Sequence, residues 1–121
     1  MLDNREVGDK GELLAKAYLV DNGYEILESN WRYKHKEIDI IASKNNMLCI
    51  VEVKTRRSDY LPPKMAVTHK KQLNLIVATN EYITINNIDK DIRFDIIEII
   101  MQKNKDIKIN HIIDAFTPQI S

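Results

Sequence analysis

Between Met47 and Arg56 the chain reads MLCIVEVKTR, apolar at successive positions until Glu52 and charged only toward its end. A strand that is apolar on both faces must be covered on both, so it belongs in the middle of a sheet with other elements packed above and below. That single segment excludes an open hairpin protein and a helical bundle, and asks for a layered α/β chain.

The flanking sequence supplies the layers. Arg5 to Asn22 is predicted as a helix, with Asp3 or Asn4 to cap it, Gly23 to end it, and Leu13, Leu14, Ala17, Tyr18 and Val20 as its apolar positions. The period then changes to two, which predicts strands over Tyr24–Tyr33, Glu37–Ala42 and Met47–Thr55. Arg56 to Pro63 reads as a loop. A second helix is expected from Thr68 to Ile83, burying Leu73, Ile76, Val77 and Tyr82, with Ala78 near the sheet. Ile92–Met101 and Ile107–Asp114 complete the order αβββαββ, a mixed sheet flanked by two main helices. A chain of 121 residues, 44% hydrophobic and 30% charged, has the size and composition of one domain, residues 1–121.

The second and third strands carry the chemistry. With Asn45 and Asn46 as turn residues, Asp39 lies opposite Glu52, Glu37 opposite Lys54 and Ile41 opposite Ile50, all on one face. Ile38, Ile40, Val51 and Val53 then form the core face. Opposed carboxylates repel unless something neutralises them, and Mg2+ does so with one or two carboxylates plus water or phosphate oxygens. Lys54, one pleat on, is placed to hold a phosphate oxygen or an attacking water. Glu12 shares an i, i+3, i+7 set with Ala15 and Leu19, which puts it at the edge of the first helix's inward face, within reach of the hairpin. The competing reading is a solvated sheet face in which Glu37 pairs with Lys54 and Glu12 with Lys16.

Charge adds a partner. The formal net charge is zero, yet Asn30 to Lys71 holds ten Lys or Arg against four Asp or Glu. A basic middle attracts a polyanion locally without making the whole surface adhesive. Other chemistries find little footing. His35, His69 and His111 lack metal-ligand spacing, no glycine-rich phosphate loop is present, and Cys49 reads as core. No apolar run is long enough for a membrane span and the start of the chain has no signal-peptide core, so a cytoplasmic protein is expected.

Gly8, Gly11-Glu12, Gly23-Tyr24, Glu37-Ile38-Asp39-Ile40-Ile41-Ala42, Val51-Glu52-Val53-Lys54-Thr55-Arg56 and Arg93-Phe94-Asp95 occur in that order. This string resembles the YraN family of small bacterial proteins, in the PD-(D/E)xK nuclease superfamily and similar to archaeal Holliday-junction resolvases. The resemblance covers about residues 4–100. It implies a restriction-endonuclease-like core and a metal-dependent phosphodiesterase site. By position, Asp39 matches the first metal-binding aspartate, Glu52 the second acidic ligand and Lys54 the catalytic lysine. Glu12 matches the helix-one acid, and Glu37 the extra acid before the aspartate. Gln72 falls near a polar position that supports the lysine or the phosphate, with Lys70 and Lys71 competing for that place. The chain departs from the pattern at Ile38, where superfamily members often have proline, and at Lys36, where the family usually has glycine.

The function this implies is hydrolysis of nucleic-acid phosphodiesters, DNA above all and branched DNA among its forms. Mg2+ or Mn2+ would be held by Asp39, Glu52, the Val53 carbonyl and Glu12. Arg56, Arg57, Lys64, Lys70, Lys71 and Gln72 would contact flanking phosphates, Tyr60 would stack on a base, and resolvase-like action would suggest a homodimer. Two alternatives stand beside it: an inactive nucleic-acid-binding module on a nuclease fold, and an interaction protein whose Ile-rich last strands pair with a partner.

Overall fold

A computed structural model describes residues 3–57 and 67–117. The elements run α1 (Asn4–Asp21), β1 (Glu25–Tyr33), β2 (Lys36–Lys44), β3 (Met47–Arg57), α2 (His69–Asn86), β4 (Asp91–Met101) and β5 (Ile107–Ile112). The sheet order is β1-β2-β3-β4-β5, so β3 is the central strand. Only β3 and β4 are parallel, and α2 is the crossover that parallel neighbours require. The protein is thus a mixed α/β fold in the predicted element order. β3 continues through Arg57, which places Arg56 and Arg57 in the strand and not in the loop expected there.

Each face of the sheet has its own core. Ile40, Ala42, Cys49, Val51, Ile97 and Ile99 pack with Ala15 and Leu19 of α1. Ile41, Leu48, Ile50 and Ile96 pack with Leu75, Ala78 and Tyr82 of α2. The alternating membership of β3 in both cores is why its sequence is apolar at successive positions.

The buried faces of the helices match the prediction only in part. α1 buries Val7, Gly11, Ala15 and Leu19, while Leu13 is 63% and Val20 55% exposed. α2 buries Leu75, Ala78, Thr79 and Tyr82, and leaves Leu73 and Val77 exposed. Close approach decides the first case. A Cβ on Gly11 would lie 1.9 Å from Thr55 Oγ1 of β3, so the helix backbone rests directly on the strand. Small residues define that seam, and a search for large apolar side chains passes over them. An Asp3–Glu6 capping box closes the N-terminus of α1, with Glu6 N–H donating to Asp3 Oδ1 at 2.8 Å.

Candidate metal-and-phosphate site

The β2–β3 pairing has the predicted register, from Lys44↔Met47 through Ile41↔Ile50 to Ile40↔Val51, with Asn45 in the left-handed region at the turn. There the ladder ends. Beyond it the Val53 amide donates to Asp39 Oδ2 at 2.9 Å, a side chain taking the place of a strand carbonyl. On the other side, β1 and β2 pair Ser29 with Ile40 and Trp31 with Ile38, skipping Asn30 and Asp39. Asn30 sits at φ 53°, a conformation asparagine tolerates better than most residues.

This break in the pairing corrects the expected division of faces. Strict alternation would group Ile38 with Ile40. Instead Ile38 packs in the α2-side core and Ile40 in the α1-side core. Asp39 opens on a cleft of about 510 Å³ beneath the N-terminal half of α1, together with Glu12, Val53 and Thr55. Glu52 belongs to the face that meets α2, where its Oε1 lies 3.0 Å from Lys71 Nζ. The two carboxylates therefore approach from opposite sides of the sheet's splayed seam.

They still sense each other. Burial, then the charge of Glu52, pushes the Asp39 carboxyl up to about 7 against the pull of the Val53 amide, with Glu12 adding in the same direction. Burial likewise raises Glu12, opposed by its hydrogen bond with Asn30 and by Lys16. Burial lowers the Lys71 ammonium, but its bond to Glu52 and the charges of Glu52, Asp39 and Glu37 outweigh this and leave it raised. Two carboxylate oxygens, Glu12 Oε1 and Glu52 Oε2, are buried without a partner. Among the described residues no three His, Cys, Asp or Glu side chains form a ready cage for a metal ion. A divalent cation that needs only one or two carboxylates, completed by water and phosphate, nevertheless matches this donor set.

The remaining predicted residues are placed as follows. Glu37 is paired with Arg32 at 2.9 Å. Lys54 is half-buried on β3, in register with Glu98 of β4. Arg56 borders the cleft, but its Nε is held 3.1 Å from the buried Glu98, which also accepts from Asn110. Arg57 and Arg5 line the same cleft. Lys70 is exposed in the first turn of α2. Gln72 donates to the Val67 carbonyl at 2.9 Å, bracing the approach to the helix. Of the candidates for that position, Lys71 is the one that meets Glu52. Lys64 and Tyr60 lie outside the described residues.

Sequence reading missed a second polar cluster. Asp95 is 1% exposed, accepts both Nε and Nη2 of Arg93, and lies 2.7 Å from His111 Nε2. Tyr18 of α1 meets His111 Nδ1 at 3.1 Å, and Arg93 donates to the Tyr24 hydroxyl at 2.6 Å. Despite burial, the His111 and Arg93 bonds and the Asp114 amide hold the Asp95 carboxyl below its ordinary range. The cluster ties α1 to β4 and β5, and so helps to hold α1, with Glu12, over the seam. The Arg93-Phe94-Asp95 string was its one visible trace.

Fold and site together describe a small mixed α/β protein with a carboxylate-lined cleft bordered by arginines. A match to the uncharacterised protein family UPF0102 spans residues 11–99, and the chain belongs to that family, the YraN-like group its motifs resemble. A UPF0102 protein of Parabacteroides distasonis is 44% identical over 96% of each chain. Those of Flavobacterium psychrophilum and Christiangramia forsetii are 46% and 47% identical, over 96% of this chain and 98% of theirs. No described helix is long and apolar enough to cross a membrane.

Proposed function

We propose that this protein is a metal-dependent nuclease that hydrolyses nucleic-acid phosphodiester bonds, DNA foremost, on a restriction-endonuclease-like core. The observation that carries the reading is that Asp39 and Glu12 line one cleft while Glu52 acts on Asp39 from the α2 side, with Glu12 Oε1 and Glu52 Oε2 buried and without a partner among the described residues. Asp39, Glu52 and Glu12 would hold Mg2+ or Mn2+, with the Val53 carbonyl as a further oxygen. A bound divalent cation would lower the pKa of a water and neutralise charge growing on the phosphate. Lys54 would stabilise the transition-state charge or orient the attacking water. Arg5 and Arg57 would hold flanking phosphates along the cleft.

A nucleic-acid-binding module without turnover is favoured by one observation, the lack of a ready metal cage among the described residues. The test is cleavage of plasmid, single-stranded and four-way-junction DNA with Mg2+ or Mn2+ against EDTA, with Glu52→Ala and Lys54→Ala purified alongside. Metal-dependent cleavage lost in both variants supports the nuclease. Absence of cleavage, with salt-sensitive binding retained by Glu52→Ala, replaces it with the binding module.

A further inference from the structure

Lys71 stands where local electrostatics would not put it. It is the third residue of α2, after the Thr68 cap, whose side chain accepts the Lys71 amide at 3.2 Å. The first turn of α2 contains His69, Lys70 and Lys71 and no acidic residue. The helix dipole favours negative charge at this end, so the two lysine charges here work against helix stability. A local rule broken without a local gain points to a gain elsewhere.

The gain lies across the seam. Lys71 Nζ is 3.0 Å from Glu52 Oε1, and Asp39 and Glu37 also attract it. Glu52 is itself buried, and its other oxygen, Oε2, has no partner. The carboxylates thus draw in a positive charge that their own helix neighbour supplies, and supply it incompletely.

Resting on the nuclease reading, we infer that Lys71 is a tethered counter-ion that competes with the divalent cation for Glu52. It is a positioning residue: it holds Glu52 against α2 in the free protein, and must yield for Glu52 to take a metal ion.

The test is Mn2+ binding to the intact chain without nucleic acid, followed by electron paramagnetic resonance in slightly alkaline buffer. Wild type would be compared with Lys71→Met, Lys71→Gln, Lys71→Arg and Glu52→Gln. Removing a like charge beside a bound dication should tighten binding about tenfold in Lys71→Met and Lys71→Gln. Lys71→Arg keeps the charge and should bind as wild type does, which a merely structural role of the lysine would not require. Equal or weaker binding in both neutral variants, with wild type binding and Glu52→Gln not, overturns the competition and leaves the metal site standing. If neither wild type nor the neutral variants take up Mn2+, the metal reading falls and this inference with it.

Discussion

The carboxylate of Asp39 accepts the Val53 amide at 2.9 Å at the point where the β2–β3 ladder has ended. One bond thereby closes the ladder and aims a charged group into the cleft beneath α1. Ionising that group costs stability, because burial and the charge of Glu52 raise the Asp39 carboxyl to about 7 against the pull of the bond.

The sign of that cost can be checked. An acid raised on folding binds more protons in the native state between its ordinary value and about 7, so stability falls as pH rises through that window and levels off above it. Asp39→Asn should therefore stabilise the protein by about 1–3 kcal/mol at pH 8, and much less near pH 4, where the wild-type carboxyl is neutral in the folded state and only about half ionised in the unfolded one. Urea unfolding at the two pH values checks this. Equal effects at both would show that ionisation is not what costs stability.

Asp95 has the opposite sign. Its carboxyl lies below the ordinary range, so its stabilisation is present at neutral pH and is lost as acid titrates it. Asp95→Ala leaves Arg93 and His111 without their shared partner and should cost about 3–5 kcal/mol in thermal or urea unfolding at neutral pH. A cost under 1 kcal/mol would mean that the buried network contributes little.

Two glycines of α1 should respond in opposite directions. Gly11→Ala drives a Cβ to 1.9 Å from Thr55 Oγ1 and should destabilise by about 1–3 kcal/mol, lifting Glu12 from the seam. Gly8 has nothing within 4 Å of its would-be Cβ, and Gly8→Ala should stabilise by about 0.5–1 kcal/mol through helix propensity. Urea midpoints of the pair decide it, and a shared sign would contradict the close packing of α1 on β3.

On the proposed nuclease reading, the basic residues should divide into structural and phosphate-contacting sets. Arg56→Ala strands the buried Glu98 and should cost about 1–3 kcal/mol of stability. Lys70→Ala should leave the urea midpoint unchanged or slightly raised, yet reduce the slope of log affinity against log salt for DNA by about 1. An unchanged salt slope would remove Lys70 from the interface.

The central position of β3, the Asn-turn register and the element order follow from the chain alone, because alternation and turn chemistry are local properties. The same holds for the nomination of Glu12, Asp39 and Glu52 as residues to watch. Local patterns fail where two segments must agree. The break in pairing at Asp39 faces Asn30 on another strand, and the sequence of β2 alone reads as unbroken alternation. Ala78 and Tyr82 of α2 are buried as expected, but the buried face of α1 was misread because packing selected small residues, Gly11 and Ala15, over larger apolar neighbours. Lys71, Glu98 and His111 carry no motif, and acquire their partners only when helix and strand termini meet. Period and composition determined which strands form and in what order. Tertiary packing alone decided which charges share a site, because electrostatic pairing depends on distance through the fold and not along the chain.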